Sequence, residues 1–217
     1  MVAISRDNLP VWFPDWSGAA VAIVASGPST KKANPAQLKG RLPVIAIKEN
    51  VELCPWANMV YGCDSAWWKN QVGLPKYEGI KVSYVASGLT AAYPDIKTID
   101  IRKDADRLLF DKPGLVGSGG NSGFQALNLA IQCGAVRVLL VGFDMQDRSG
   151  VHWYGRNNGP GRNNPTEDNF RRWRAAFATS APELVERGIE VINASPISAL
   201  TCFKRQTIEQ TLAEWRL

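Results

Sequence analysis

The sequence has a single histidine, four cysteines with no CxxC pair, and no apolar run near the roughly 20 residues of a membrane span. Cys54, Cys63, Cys133 and Cys202 are widely spaced and lie in or beside apolar segments, where a free thiol behaves as a small hydrophobe. That pattern excludes a disulfide framework and points to a reduced, cytoplasmic setting. Residues 1–14 lack the charged-then-apolar layout of a signal peptide, so the chain is expected to stay in the compartment where it is made. No His/Cys/Asp cluster has zinc spacing and no Ser-His-Asp nucleophile elbow occurs, which removes zinc-enzyme and serine-hydrolase readings. A fixed-period repeat and a low-complexity tract are also missing.

What is present is an ordinary globular balance, 45% hydrophobic and 21% charged residues over 217 positions, enough for a large buried core. Residues 21–25 form a continuous β-rich run between Gly18 and Gly27, the pattern of a strand covered on both faces of a parallel sheet. Residues 43–47, 58–62, 81–86, 97–101, 136–141 and 189–192 read as further strands. The ten residues between the second and third are too few for a full crossover helix, so an irregular connection is expected there. Helices are expected at 65–71, 121–133, 167–187 and 206–215, the third with a break or kink near Pro182 and Thr166 as its cap. In the helix at 121–133, Phe124, Leu127, Ala130 and Ile131 recur at helical spacing, Ser122 and Gln125 make a capping box, and Gly134 stops it. The expected architecture is α/β: a single Rossmann-like domain over 1–217 with a mostly parallel central sheet flanked by helices.

Two Gly/Ser turns leave strands. Ser26, Gly27, Pro28 and Ser29 follow the first strand, where free amides and hydroxyls would hold a phosphate or carboxylate. The same turn can equally be a tight link without a ligand. Residues 117–123, including Gly119, Asn121, Ser122 and Gly123, precede a helix whose N-terminal dipole favours anions. This segment misses GxGxxG by one residue and lacks the Lys-Ser/Thr pair of a Walker loop, so hydride transfer and simple P-loop ATP hydrolysis lose ground.

The formal charge is +5, and residues 148–174 carry six arginines against Glu167 and Asp168, a local net of +4. Arg171, Arg172 and Arg174 read mainly as a solvated helix face, whereas Arg156 and Arg162 sit in a loop where guanidinium forks suit phosphate. The charge is one cluster rather than a stripe, so no stable nucleic-acid partner is expected. Residues 145–166 hold four glycines and four asparagines without apolar periodicity, a length and composition typical of a functional loop. His152 lies within it and is a natural general base, with Tyr154 and Arg156 nearby to stabilise a departing phosphate. Asp64 and Asp144 each follow a strand and can bind a ribose hydroxyl, an amine or Mg2+; Asp64 more readily caps the helix at Ser65. Of eight tryptophans, Trp56, Trp67, Trp68 and Trp153 fall beside these turns, while Trp12, Trp16, Trp173 and Trp215 read as core.

Residues 21–29, 120–131 and 138–145 together resemble the bacterial CMP-sialic-acid sialyltransferase group. They are also similar to uncharacterised phage and bacterial proteins related to the archaeal hydroxymethylpterin pyrophosphokinase. The likeness runs in patches over roughly residues 20–200. It implies that Ser26 to Ser29 hold CMP and that Asn121, Ser122 and Gly123 contact the donor. The group's asparagine after the second strand maps to Lys48 or, with a slip, to Asn50. His152 would be the base and Tyr154 one of two tyrosines on the leaving phosphate, the second having no clear match. The leading expectation is therefore a metal-independent, inverting transfer from a CMP-activated acidic sugar to a hydroxyl-bearing acceptor. The alternatives are an ATP- and Mg2+-dependent pyrophosphokinase acting on a pterin-like alcohol, using Asp64 or Asp144, and a non-catalytic nucleotide or sugar-phosphate sensor. A homo-oligomer is compatible with all three.

Overall fold

The computed structural model of the chain describes residues 9–158 and 163–217; Arg162 lies outside them. Among these residues nine strands form one sheet, in the order β6-β5-β4-β3-β2-β1-β7-β8-β9. They are β1 (Ala20–Val24), β2 (Val44–Ile47), β3 (Met59–Tyr61), β4 (Ile80–Tyr84), β5 (Lys97–Arg102), β6 (Leu115–Gly117), β7 (Arg137–Val141), β8 (Glu190–Asn193) and β9 (Lys204–Arg205). Every pairing is parallel. The chain builds outward from β1 to β6, then crosses back to lay β7 on the other side of β1. This reversal between β1 and β7 is the topological switch point of a doubly wound sheet.

Strand alternation divides the core between the two faces. Val21 and Ile23 of β1 and Val138 and Leu140 of β7 join a cluster with the helices α3 (Ser122–Gln132) and α4 (Glu167–Glu186). Ala20, Ala22, Val24, Leu139 and Val141 point the other way, onto Ile208, Leu212 and Trp215 of α5 (Ile208–Trp215). Both faces are covered, which is why these strands are continuously apolar rather than alternating.

Two short helices complete the set, α1 (Thr30–Ala33) and α2 (Ser65–Asn70). The link between β2 and β3 is a 3-10 turn, Lys48–Val51, as the short spacing predicts. All seven strands and all four helices read from the sequence are present within two residues of their ends; β6, β9 and the single turn of α1 were not foreseen. α3 is buried along its whole length, and its polar residues clasp the segment that carries β6. The Asn128 side chain accepts from the Leu109 and Gly117 amides, both at 2.9 Å, and Gln132 donates to Leu115 O at 2.8 Å.

Three local expectations are corrected. α3 is capped by Asn121, whose Oδ1 accepts from the Phe124 amide at 2.9 Å; Ser122 is already the first helical residue. Gln125 turns inward instead, accepting from the Tyr61 hydroxyl at 2.8 Å and donating to Ser118 O at 3.0 Å. Asp64 makes no side-chain cap on α2. α4 runs through Pro182 without a break, secured at its start by the Thr166 cap and its reciprocal partner Asn169.

Candidate active site

The carboxyl ends of β1, β2, β3 and β7 open into one cleft of about 350 Å3, within the roughly 300–1,000 Å3 span of small-molecule pockets. It lies at the switch point, where open α/β sheets bind their ligands. The N-terminus of α3 enters from one side through Gly120, Asn121, Ser122 and Gly123, and the loop after β7 covers the other through Val151, His152 and Asn157.

The first glycine turn faces this cleft, but its Gly27 and Ser29 donors are engaged within the protein. Gly27 N–H donates to Gly142 O at 2.9 Å and Thr30 N–H to Gly27 O at 3.0 Å. Ser29 gives both its amide, at 2.9 Å, and its hydroxyl, at 2.5 Å, to the Asp144 carboxylate. The expectation of free amides and hydroxyls is therefore corrected for Gly27 and Ser29: only one turn of helix, α1, follows, and Gly142 and Asp144, just beyond β7, accept from these donors. Ser29 is buried, and neither it nor Pro28 lines the cleft. A Cβ at Gly27 would lie 2.5 Å from Gly142 O and 2.6 Å from the Asp144 carboxylate, so β1 and β7 meet through glycine. Burial pushes the Asp144 carboxyl above its usual range, opposed by the two hydrogen bonds from Ser29.

What this turn presents is Ser26, whose Oγ lies 3.0 Å from His152 Nδ1. The covering loop is fastened at the same place: Trp153 N–H donates to Ser26 O at 3.0 Å, and Trp153 Nε1 to Asn50 Oδ1 at 2.9 Å. The Lys31 ammonium packs over the Trp153 ring at 4.5 Å. Buried Asn50 thus braces the loop from below and does not itself line the cleft. Tyr154 stacks on the imidazole, with ring centroids 4.8 Å apart and planes 13° from parallel. Its hydroxyl reaches Asn157 Oδ1 at 3.2 Å, and Asn157 Nδ2 lies 3.2 Å from His152 Nε2.

The far wall carries the charge. Lys48 holds a left-handed backbone, φ 50°, and its ammonium meets the Asp64 carboxylate at 2.7 Å. Burial alone would lower the Lys48 pKa, but the Asp64 charge and hydrogen bond outweigh it and the net shift is upward. Cys63 lies between them and Ser122, 3.4 Å from the serine oxygen, and burial with the Asp64 charge pushes its thiol pKa up. The second glycine turn borders the same wall. Gly119 and Gly120 take φ of 52° and 72°, bending the chain so that α3 points its first amides at the cleft.

Of the residues singled out from sequence, Ser26, Gly27, Lys48, Asp64, Asn121, Ser122, Gly123, Asp144 and His152 meet around this one cavity. Pro28, Ser29, Asn50, Gly119 and Tyr154 stand behind it, and Arg156 is exposed and does not line it. The helical arginines are paired: Arg172 with Asp106 at 2.7 Å, Arg174 with Glu167 at 2.7 Å, and Arg171 with Asp168. Trp173 packs against the core as expected and also lines the cleft beside Phe170, whereas Trp68 is buried beneath it and Trp56 lies elsewhere. Cys63, Asn157, Asn163 and Asn164 were missed; the density of asparagines in the loop was the one signal for the last three. No group of three or more metal-ligating side chains occurs among the described residues, and no helix among them is long and apolar enough to cross a membrane.

The class defined by this arrangement is a Rossmann-like α/β fold with a ligand cleft at its switch point. No family model matches the chain, and no curated protein does. Among solved structures it is similar to the sialyltransferase CstII from Campylobacter jejuni in complex with the substrate analogue cytidine-5'-monophosphate. That match has a TM-score of 0.55 and 13% identity over 87% of this chain and 84% of that one. A second CstII structure, in complex with CMP-3FNeuAc, matches with a TM-score of 0.54 and 14% identity over 87% of this chain and 86% of that one. At these identities the likeness is one of fold.

Proposed function

We infer that this chain is a glycosyltransferase that takes an acidic sugar from a CMP-activated donor and transfers it with inversion to a hydroxyl-bearing acceptor. The observation that carries this reading is His152, held over a switch-point cleft by Ser26 and Asn157 and facing the N-terminus of α3. The fold shared with CstII, whose structures hold CMP and a CMP-sugar analogue, supports the choice of nucleotide. The α3 amides supply positive potential for the phosphate. In the transfer step the acceptor O–H gives its proton to His152, its oxygen bonds to the anomeric carbon, and the bond from that carbon to the phosphate oxygen breaks. CMP leaves with the electron pair.

Mg2+-dependent transfer from ATP is less well served by these residues. Asp64 already faces the Lys48 ammonium and Asp144 already accepts from Ser29 twice, so neither carboxylate is arranged as an open cation ligand. The test is CMP release from CMP-sialic acid, followed with and without an acceptor sugar, alongside CMP binding by calorimetry. His152→Ala should lose about 10²- to 10⁴-fold in release rate while binding CMP as before. A wild-type protein that neither binds CMP nor releases it ends this reading; one that binds CMP without releasing it from the donor makes the cleft a sensor, and undiminished release by His152→Ala removes His152 as the base.

A further inference from the structure

We propose that Asn157 is the positioning residue that sets the tautomer of His152, placing the proton on Nδ1 and leaving Nε2 as the basic atom. The orientation of the Asn157 amide follows from its partners. Asn163 O, a pure acceptor, lies 2.9 Å from Asn157 Nδ2, so that nitrogen must face it and donate. The opposite end agrees, because Asn157 Oδ1 accepts from the Tyr154 hydroxyl at 3.2 Å. Asn164 pins the backbone of the same residue from both sides, accepting from Asn157 N–H at 2.7 Å and donating to Asn157 O at 3.0 Å.

With its amide so fixed, Nδ2 offers its second hydrogen to His152 Nε2 at 3.2 Å. A donor in that position requires a lone pair on Nε2. In a neutral imidazole the hydrogen then resides on Nδ1, where Ser26 Oγ stands 3.0 Å away to accept it. Tyr154, Asn157, His152 and Ser26 thus form one directed chain of hydrogen bonds across the covering loop to the first glycine turn. An acceptor hydroxyl that is to lose its proton must take the place of the Asn157 amide at Nε2. Asn157 is therefore both the device that prepares the base and the group the substrate displaces. The role of Nε2 as the reacting atom rests on the transferase reading; the tautomer does not.

His152 is the chain's only histidine, so selective 15N-histidine labelling reads this one ring without overlap. Long-range 1H–15N correlation, at a pH where the ring is neutral, should show a pyrrole-type Nδ1 and a pyridine-type Nε2 in the wild type. Asn157→Asp keeps the size of the side chain but removes the donor, so the proton should move to Nε2, facing the new carboxylate. CMP release in that variant should fall by about 10²-fold, with little change in KM. An Nε2–H tautomer in the wild type, or an unchanged Nδ1–H tautomer in a folded Asn157→Asp protein, overturns the proposal. If the tautomers behave as expected but the wild type releases no CMP, the assignment of Asn157 stands and the transferase reading fails.

Discussion

The two glycine turns look alike in sequence and do opposite work. Each leaves a buried strand, each mixes Gly with Ser or Asn, and each lines the same cleft. The turn after β1 is closed: its Gly27, Ser29 and Thr30 amides are all spent inside the protein, and Asp144 draws it tight against β7. The turn before α3 is open, because an 11-residue helix follows it and only Asn121 is available to cap the first amides. A glycine-rich turn binds anions when a real helix stands behind it; with one helical turn behind it, it becomes a joint. The first turn serves the cleft by anchoring the loop that carries His152, the second by bringing the start of α3 to its wall.

This contrast is most sharply broken at Gly142, the partner of the closed turn. Its φ is 76°, and a Cβ there would lie 2.1 Å from the Thr30 hydroxyl and 2.3 Å from Ala25 O. Gly142→Ala should cost about 4 kcal/mol or more and lower Tm by roughly 10 °C, measured by thermal unfolding. Asp144→Ala comes next, since it leaves two buried Ser29 donors unpaired, at about 2–3 kcal/mol. Its pH dependence carries a sign. The Asp144 pKa is raised in the folded protein by burial, so ionisation opposes folding: this group's contribution is fully present below the ordinary carboxyl range and declines as pH rises through the raised value. Wild type should therefore exceed Asp144→Ala by most in acid and by less towards neutrality, in denaturant titrations at several pH values.

The open turn should respond more weakly in stability and more strongly in binding. Gly120 has φ 72°, but a Cβ there would meet only side chains, Trp173 Nε1 at 2.9 Å and Arg172 Cζ at 3.3 Å, which can give way. Gly120→Ala should cost about 1–2 kcal/mol of stability while weakening CMP binding measurably in a calorimetric titration. If Gly120→Ala is the more destabilising of the two glycine substitutions, the closed and open assignments are wrong.

How much of this was legible can be judged from particular residues. β1 and β7 were visible because strands covered on both faces are continuous apolar runs, and α3 because its apolar residues keep helical spacing. β6 was not: a three-residue strand at the sheet edge is held by Asn128 and Gln132 of the helix that follows it, and neither apolar periodicity nor alternation marks such a contact. The cap of α3 moved from Ser122 to Asn121 because both have capping side chains and only the backbone angle separates them. Trp173 packs against the core as its sequence context suggests, but a tryptophan at a helical position carries no mark that its other side lines a cleft.

The sequence by itself determined the parallel sheet, the two turns at its carboxyl edge and a lone histidine in an asparagine-rich loop, since these depend on local composition and periodicity. Only the tertiary structure decided that Gly27 and Ser29 donate to Gly142 and Asp144 beyond β7, that Lys48 faces Asp64, and that His152 is clasped between Ser26 and Asn157. Those partners stand up to 126 positions apart in the chain, and hydrogen bonds of 2.5–3.2 Å between such residues exist only once the sheet has closed around its switch point.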